Sequence, residues 1–196
     1  MMNFDISLSE MHKLLSVLDP KSFEKTVNRT INDLTIQGTN AAKKQVRDRY
    51  NIKAKQLSRY IRTHKSRVGN LEASINVRTR SVSLFNFIQR GSISSSINSK
   101  RRVRKRPVKV KILKGAGAHK LRHAFLMMGR NNNIGIFERV QGVQTAKGTD
   151  KIRRLNTVGP SKMFEKAGVP IIEKYVEDNT ARIFRNNFDF YIGRMK

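Results

Sequence analysis

The sequence predicts an α+β fold, in which a long N-terminal helix and a C-terminal helix pack on a central, mainly antiparallel β-sheet. Apolar residues recur every three to four positions towards both ends of the chain, and at every second position in the middle. The strand candidates also follow one another directly in sequence, which favours antiparallel pairing over alternating βαβ units.

The first nineteen residues predict an arm that includes a short helix. In NFDISLS, Phe4, Ile6 and Leu8 alternate as in an extended segment, and helical spacing follows in SEMHKLLSVL. We therefore divide the chain into an arm at 1–19 and a single α+β domain at 20–196.

The long N-terminal helix is predicted to begin at Asp19 and Pro20. Aspartate is a favourable N-cap, and proline suits the first helical position because its missing N–H would have no partner there. The apolar face that follows comprises Phe23, Val27, Ile31, Leu34, Ala41, Ala42 and Val46, and it ends at Tyr50. A second, shorter helix is predicted in IKAKQLSRYIRTH, with inner positions Ile52, Leu57 and Ile61.

Strands are predicted from residue 71 onward, where the apolar period changes to two. In VSLFNFI, we expect Phe85 and Phe87 to share one strand face and to pack in the core. In PVKVKILKG, the valines and Ile112 face one way while Lys109 and Lys111 face the other, which predicts a half-buried strand with a cationic surface. The remaining strand candidates are LEASINVRTR, HAFLMMG, IGIFERV and DKIRRLNTVGP.

The helical period returns after residue 160. SKMFEKAG predicts one or two turns, and VPIIEKYVEDNTARIFRNNFDFYI predicts a long amphipathic helix. Its expected buried stripe comprises Ile172, Tyr175, Val176, Ile183 and Phe184.

Positive charge dominates the chain, with a formal net charge of +27 at pH 7 and a pI of about 11.3. Between Glu72 and Glu138 there are fifteen Lys and Arg and no acidic residue. Such a charge indicates an anionic partner: nucleic acid, an anionic membrane surface or an acidic protein. We predict a basic loop at 92–106 that projects between strands. The residues expected to contact DNA or an acidic partner are Lys100, Arg101, Arg102, Arg104, Lys105, Arg106, Lys109 and Lys111.

No catalytic or metal site is predicted, and no cofactor. His119 and His123 have i,i+4 spacing, but no glutamate follows His119 as a zinc protease motif requires. KGAGAHK lacks the ending of a phosphate-binding loop, and the fourteen carboxylates are scattered. A nuclease would need clustered acids or a competent histidine, so we do not expect an enzyme.

The chain has no cysteine, which excludes disulfides and thiolate metal sites. No apolar run approaches the roughly 20 residues of a membrane-spanning helix, and the start MMNFDISLSE lacks the pattern of a signal peptide. We therefore expect no membrane association.

Several phrases, in order, resemble the prophage minor tail protein Z family, the tail completion proteins of long-tailed bacteriophages. RYNIKAKQL at 49–57 is similar to the family's RYNIKAKDL-type junction. KVKILKG, HAFLM and GIFERV are similar to its strands, and VGPSKMF resembles its GPS-x-x-x-MF element with a shorter gap. The resemblance covers about residues 26–185. The residues on its motifs are Arg49, Tyr50, Asn51, Ile52, Gly159, Pro160, Ser161, Met163 and Phe164.

The resemblance implies a structural virion protein that completes the tail and joins it to the head, as a ring subunit near the DNA channel. The expected partners are other neck and tail proteins, such as the tail terminator and the head-side connector or portal-proximal rings. It also implies a homo-oligomer with six subunits, non-specific contact with genomic double-stranded DNA, and synthesis in the cytoplasm of the bacterial host.

Two features depart from the family pattern. The stretch 92–106 is longer and more basic than the usual linker, and residues 1–19 have no counterpart. The alternative function is that of a non-specific nucleic-acid-binding protein of the architectural kind, which explains the charge but not the two flanking helices.

Overall fold

The computed structural model describes residues 20–89, 107–128 and 133–193. It has the predicted α+β arrangement, with a long N-terminal helix, a long C-terminal helix and antiparallel strands between them. The predicted arm at 1–19 and the predicted basic loop at 92–106 lie outside the described residues.

The helices of the described residues are α1 (Pro20–Arg49), α2 (Ala54–Ser58), α3 (Pro160–Ala167) and α4 (Val169–Gly193). The strands are β1 (Ile61–His64), β2 (Ser74–Val77), β3 (Val82–Ser83), β4 (Val108–Val110), β5 (His119–Leu121), β6 (Ala124–Met128), β7 (Ile134–Gln144), β8 (Asp150–Arg154) and β9 (Asn156–Thr157). A 3₁₀ turn spans Leu84–Phe87.

The chain divides into two compact units. Among the described residues, unit 1 comprises 20–42, 62–76 and 170–193, and unit 2 comprises 43–61, 77–89, 107–128 and 133–169. The chain therefore passes from one unit to the other four times.

Unit 1 is built on the packing of α4 against the first part of α1. The rings of Phe23 and Phe184 meet edge to face with centroids 6.3 Å apart. The buried amide of Asn187 donates to Thr30 Oγ1 at 3.2 Å and to Asp33 Oδ2 at 3.0 Å. Because a buried polar group is costly unless it is hydrogen-bonded, this network favours one packing arrangement of the two helices.

The buried threonines of α1 are compatible with a helix because each satisfies its own hydroxyl. Thr26, Thr30 and Thr39 donate to the carbonyl oxygens four residues earlier, at 2.6–2.8 Å. Their methyl groups can then face the apolar side of the helix without leaving an unpaired donor.

Unit 2 has an apolar core formed by residues from four separate elements. Leu84, Val108, Val110, Leu126 and Ile136 form one buried cluster. The strands of unit 2 pair antiparallel: β4 with β5, β6 with β7, β7 with β8, and β3 with β9. The alternation of buried valines and exposed Lys109 in β4 agrees with the predicted half-buried strand.

The predicted second helix is wrong beyond residue 58. Helix α2 ends at Ser58, and the following residues form β1, which pairs with β2. Tyr60 accepts a hydrogen bond at its carbonyl from the Arg78 N–H at 2.8 Å. The apolar positions Ile52, Leu57 and Ile61 are nevertheless buried as predicted.

The predicted strand in VSLFNFI is also wrong after its first two residues. The Ser83 hydroxyl accepts a hydrogen bond from the Phe85 N–H at 3.4 Å, and the chain turns into the 3₁₀ turn. Phe85 and Phe87 therefore do not share a strand face. The expected packing in the core is nevertheless confirmed, because Phe87 is fully buried and the half-buried Phe85 packs against the apolar core of unit 2.

Candidate nucleic-acid interface

Positive charge is concentrated in unit 2. Its described residues include 21 Lys and Arg against four Asp and Glu, a net charge of +17. The described residues of unit 1 include nine Lys and Arg against seven Asp and Glu, a net charge of +2. Charge of one sign on one compact unit produces a field that attracts polyanions, so unit 2 carries the candidate interface.

Two acidic residues of unit 2 are already paired with arginines of the β7–β8 hairpin. Glu138 accepts a hydrogen bond from Arg153, and Asp150 accepts one from Arg139. These pairs neutralise only two of the 21 cations, so the basic character of unit 2 remains.

Strands β4 and β5 place two lysines directly opposite each other. The register pairs Lys109 with Lys120, and both side chains are exposed. Side chains that are directly opposite in an antiparallel pair have Cβ atoms about 4.5–5.5 Å apart, and like charges at that distance destabilise the sheet. Two exposed cations at this spacing add to the positive field of unit 2, which attracts anionic partners.

Lys111 lies in a different environment from Lys109. It is half-buried, its N–H donates to the Phe87 carbonyl at 2.9 Å, and its own carbonyl accepts from the Asn51 side chain at 3.2 Å. Of the two lysines predicted to contact the partner, Lys109 is thus the more exposed. The other predicted contacts, Lys100, Arg101, Arg102, Arg104, Lys105 and Arg106, lie outside the described residues.

The Arg49–Ile52 segment is joined by hydrogen bonds to residues 111–114, which directly follow strand β4. Asn51 N–H donates to the Ile112 carbonyl at 2.8 Å, and Lys114 N–H donates to the Arg49 carbonyl at 3.0 Å. Tyr50 forms an antiparallel bridge with Leu113 and is buried. Two phrases that are sixty residues apart in sequence therefore form one structural junction.

The Gly159–Phe164 segment fixes the start of helix α3. A Cβ atom on Gly159 would lie only 2.7 Å from the carbonyl oxygen of Thr79, so glycine is required by the close approach of the two backbones. Pro160 follows at the first position of the helix, and Met163 and Phe164 are buried. Ser161 is half-buried. Close backbone approach and burial thus fix the start of helix α3.

An open cleft in unit 2 was not predicted from the sequence. It has a volume of about 550 Å³ and is lined by Tyr60, Arg80, Ser81, Ser83, Phe85, Asn86, Asn133, Ile134, Arg154 and Asn156. We call it the Arg80/Arg154 cleft. Its residues come from four stretches of the chain, at residues 60, 80–86, 133–134 and 154–156, which the fold brings together. The one sequence signal was local: each arginine lies two residues before a short strand, and these strands, β3 and β9, pair with each other.

The histidines give no metal site in the described part of the chain. His119 and His123 are both exposed. Across residues 20–89, 107–128 and 133–193, no group of three His, Asp or Glu side chains is placed to hold a metal ion. None of the helices in these ranges has the length and apolar character needed to cross a bilayer.

Comparison of the chain with protein-family models, with curated proteins and with solved structures finds no match.

Proposed function

We propose that the chain is a structural protein of the bacteriophage virion that completes the tail and joins it to the head, as a subunit of a ring near the DNA channel. The observation that carries this proposal is the junction between Arg49–Ile52 and residues 111–114, which directly follow strand β4. It brings together, by hydrogen bonds, two separate phrases on which the resemblance to tail completion proteins rests.

The charge distribution supports the position near DNA. A ring whose subunits each carry a unit of net charge +17 among its described residues would attract phosphate without reading sequence. Such attraction allows sliding, which a passage for the genome requires. The same charge would also orient the docking of acidic neighbouring rings.

The proposal is tested by deleting the gene from the phage or prophage that encodes the chain and examining the particles by negative-stain electron microscopy. We expect DNA-filled heads and finished tails that remain separate. Adding the purified protein to a lysate that contains these heads and tails should restore their joining. A normal proportion of joined, infectious particles without the protein would refute the proposal.

The basic loop predicted at 92–106 has its own test. Changing Arg101, Arg102, Arg104, Lys105 and Arg106 together to glutamine should reduce head–tail joining or genome retention. The matched control changes five exposed cations of unit 1, namely Lys21, Lys25, Arg62, Lys65 and Lys174, and should leave both intact. Normal particles from the loop variant would show that the loop has no such role.

The second candidate function is a non-specific nucleic-acid-binding protein, which the opposed Lys109–Lys120 pair favours. Native mass spectrometry and DNA binding at rising salt distinguish the two. A monomer that binds random DNA tightly, with an affinity that falls steeply with salt, favours this alternative. A ring-sized oligomer that is present in purified particles favours the virion protein.

A further inference from the structure

We propose that the Arg80/Arg154 cleft is a nucleotide-binding site, in which the two arginines bind the phosphate and an aromatic side chain contacts the base. This inference goes beyond the proposed function, since it concerns a small-ligand site within one subunit and does not depend on ring assembly.

The cleft has the charge that a phosphate requires. Its lining includes Arg80 and Arg154 and no acidic residue. Within the described ranges, neither guanidinium has a carboxylate within ion-pair distance. Arginine suits phosphate because its planar group offers parallel N–H donors, and two arginines at one open cleft leave this capacity available.

Arg154 lies beside the cleft in a space that exists because Gly135, on the neighbouring strand β7, has no side chain. A Cβ atom on Gly135 would lie 3.0 Å from Arg154 Nε and 2.8 Å from Phe137 Cε2. The absence of a side chain at Gly135 therefore lets the arginine and the aromatic ring lie close over strand β7. The guanidinium is thereby positioned by packing rather than by an ion pair.

The floor of the cleft adds neutral hydrogen-bond donors. Ser83 and Asn156 are directly opposite in the β3–β9 pair. Ser83 Oγ accepts from the Phe85 N–H, so the hydroxyl proton can point to a ligand oxygen. Asn86 Oδ1 accepts from Gln56 Nε2 at 2.7 Å, which leaves the Asn86 Nδ2 group as a donor.

Gln56 acts as a positioning residue for Asn86. Its Oε1 is buried without a hydrogen-bond partner in the described part of the chain. A buried unpaired acceptor is unfavourable, and such groups call for an explanation. Here the amide is oriented so that its nitrogen fixes the Asn86 side chain.

Aromatic side chains and size indicate a nucleotide rather than a phosphate ion. Tyr60 and Phe85 both line the cleft, and Phe85 is only half-buried because one side of it packs against the apolar core of unit 2. Bases stack on aromatic side chains whatever their identity. A volume of about 550 Å³ lies within the usual range of small-molecule sites. The nucleotide could be free or part of a nucleic-acid strand, because both present the same phosphate and base.

The test measures binding of three probes to the full-length protein by isothermal titration calorimetry at physiological salt: inorganic phosphate, adenosine monophosphate and a single-stranded ten-nucleotide DNA. We expect the monophosphate to bind more tightly than inorganic phosphate. Arg80→Gln and Arg154→Gln should each weaken monophosphate binding about tenfold or more, since each removes a hydrogen bond to a charged group. Arg154→Lys keeps the positive charge but loses the parallel N–H donors of the guanidinium group, so it should also weaken monophosphate binding.

The matched controls are Lys147→Gln and Lys151→Gln, which remove exposed charges of the same unit outside the cleft. They should change monophosphate binding less than twofold, and all variants should keep the wild-type circular dichroism spectrum. Tighter binding of the DNA than of the monophosphate, with the same loss in the Arg80 and Arg154 variants, assigns the site to a strand; equal or weaker DNA binding assigns it to a free nucleotide. The inference is overturned if the monophosphate does not bind or binds no more tightly than inorganic phosphate. It is also overturned if the control variants lose as much affinity for the monophosphate as the arginine variants do.

Discussion

Reversing the charge of Lys120 should stabilise the protein and weaken its binding to polyanions. In Lys120→Glu, the new carboxylate lies directly opposite Lys109 in the β4–β5 pair. The charged ends of the two side chains would be roughly 6 Å apart, where a unit charge pair interacts by about 0.7 kcal/mol in water. Replacing repulsion by attraction would raise the free energy of unfolding by about 1.4 kcal/mol. Screening by salt and the loss of side-chain freedom reduce this gain to about 0.5 kcal/mol.

A gain of about 0.5 kcal/mol corresponds to a rise of roughly 1–2 °C in the melting midpoint of a chain of this size. The assay is differential scanning calorimetry at low and high salt, because the gain should shrink as salt rises. The same variant should lower the slope of log affinity against log salt for random double-stranded DNA by about 1–2, since one phosphate contact is lost and a repulsion is added.

Lys147→Glu is the matched control, since Lys147 lies in the turn between β7 and β8 and has no cross-strand lysine. It should not raise the melting midpoint. An unchanged or lower midpoint in Lys120→Glu would refute the repulsion between the paired lysines. An unchanged salt slope would refute the assignment of the β4–β5 surface to polyanion binding.

Two further predictions concern the segments that hold unit 2 together. Asn51→Ala should lower the free energy of unfolding by about 1 kcal/mol in urea titration, because the Lys111 carbonyl loses its side-chain donor; an unchanged transition would show that this bond is not needed. Gly159→Ala should cost about 1–3 kcal/mol, because the new Cβ atom would press on the Thr79 carbonyl oxygen. Gly117→Ala is its control, since a Cβ atom there meets nothing within 4 Å, and an equal loss in both would contradict the steric explanation.

The elements that the sequence predicted well are those whose signal is local. Helices α1 and α4 have long apolar faces that their sequence periodicity shows directly. Strand β4 shows its buried and exposed positions in the simplest possible alternation. In these segments each residue's environment follows from its neighbours along the chain.

The elements that were predicted wrongly depend on distant partners. Strand β1 forms because β2 pairs with it, although its residues continue a helical apolar spacing. The 3₁₀ turn after Ser83 breaks an apolar alternation that would otherwise suit a strand. The Arg80/Arg154 cleft could not be predicted for the same reason, because its lining is assembled from short stretches that carry no motif.

The division into units has a consequence for the order in which the chain folds. Every segment of unit 2 lies at or before residue 169, whereas unit 1 needs helix α4 for the contacts of Phe184 and Asn187. Since domains fold as units during synthesis, the basic unit can fold while α4 is still within the ribosome. A nascent chain would then present its cationic surface to the surrounding RNA before its other half is complete. Limited proteolysis of ribosome-bound chains, stalled near residue 200 of a C-terminally extended fusion, would detect unit 2 as a protease-resistant intermediate.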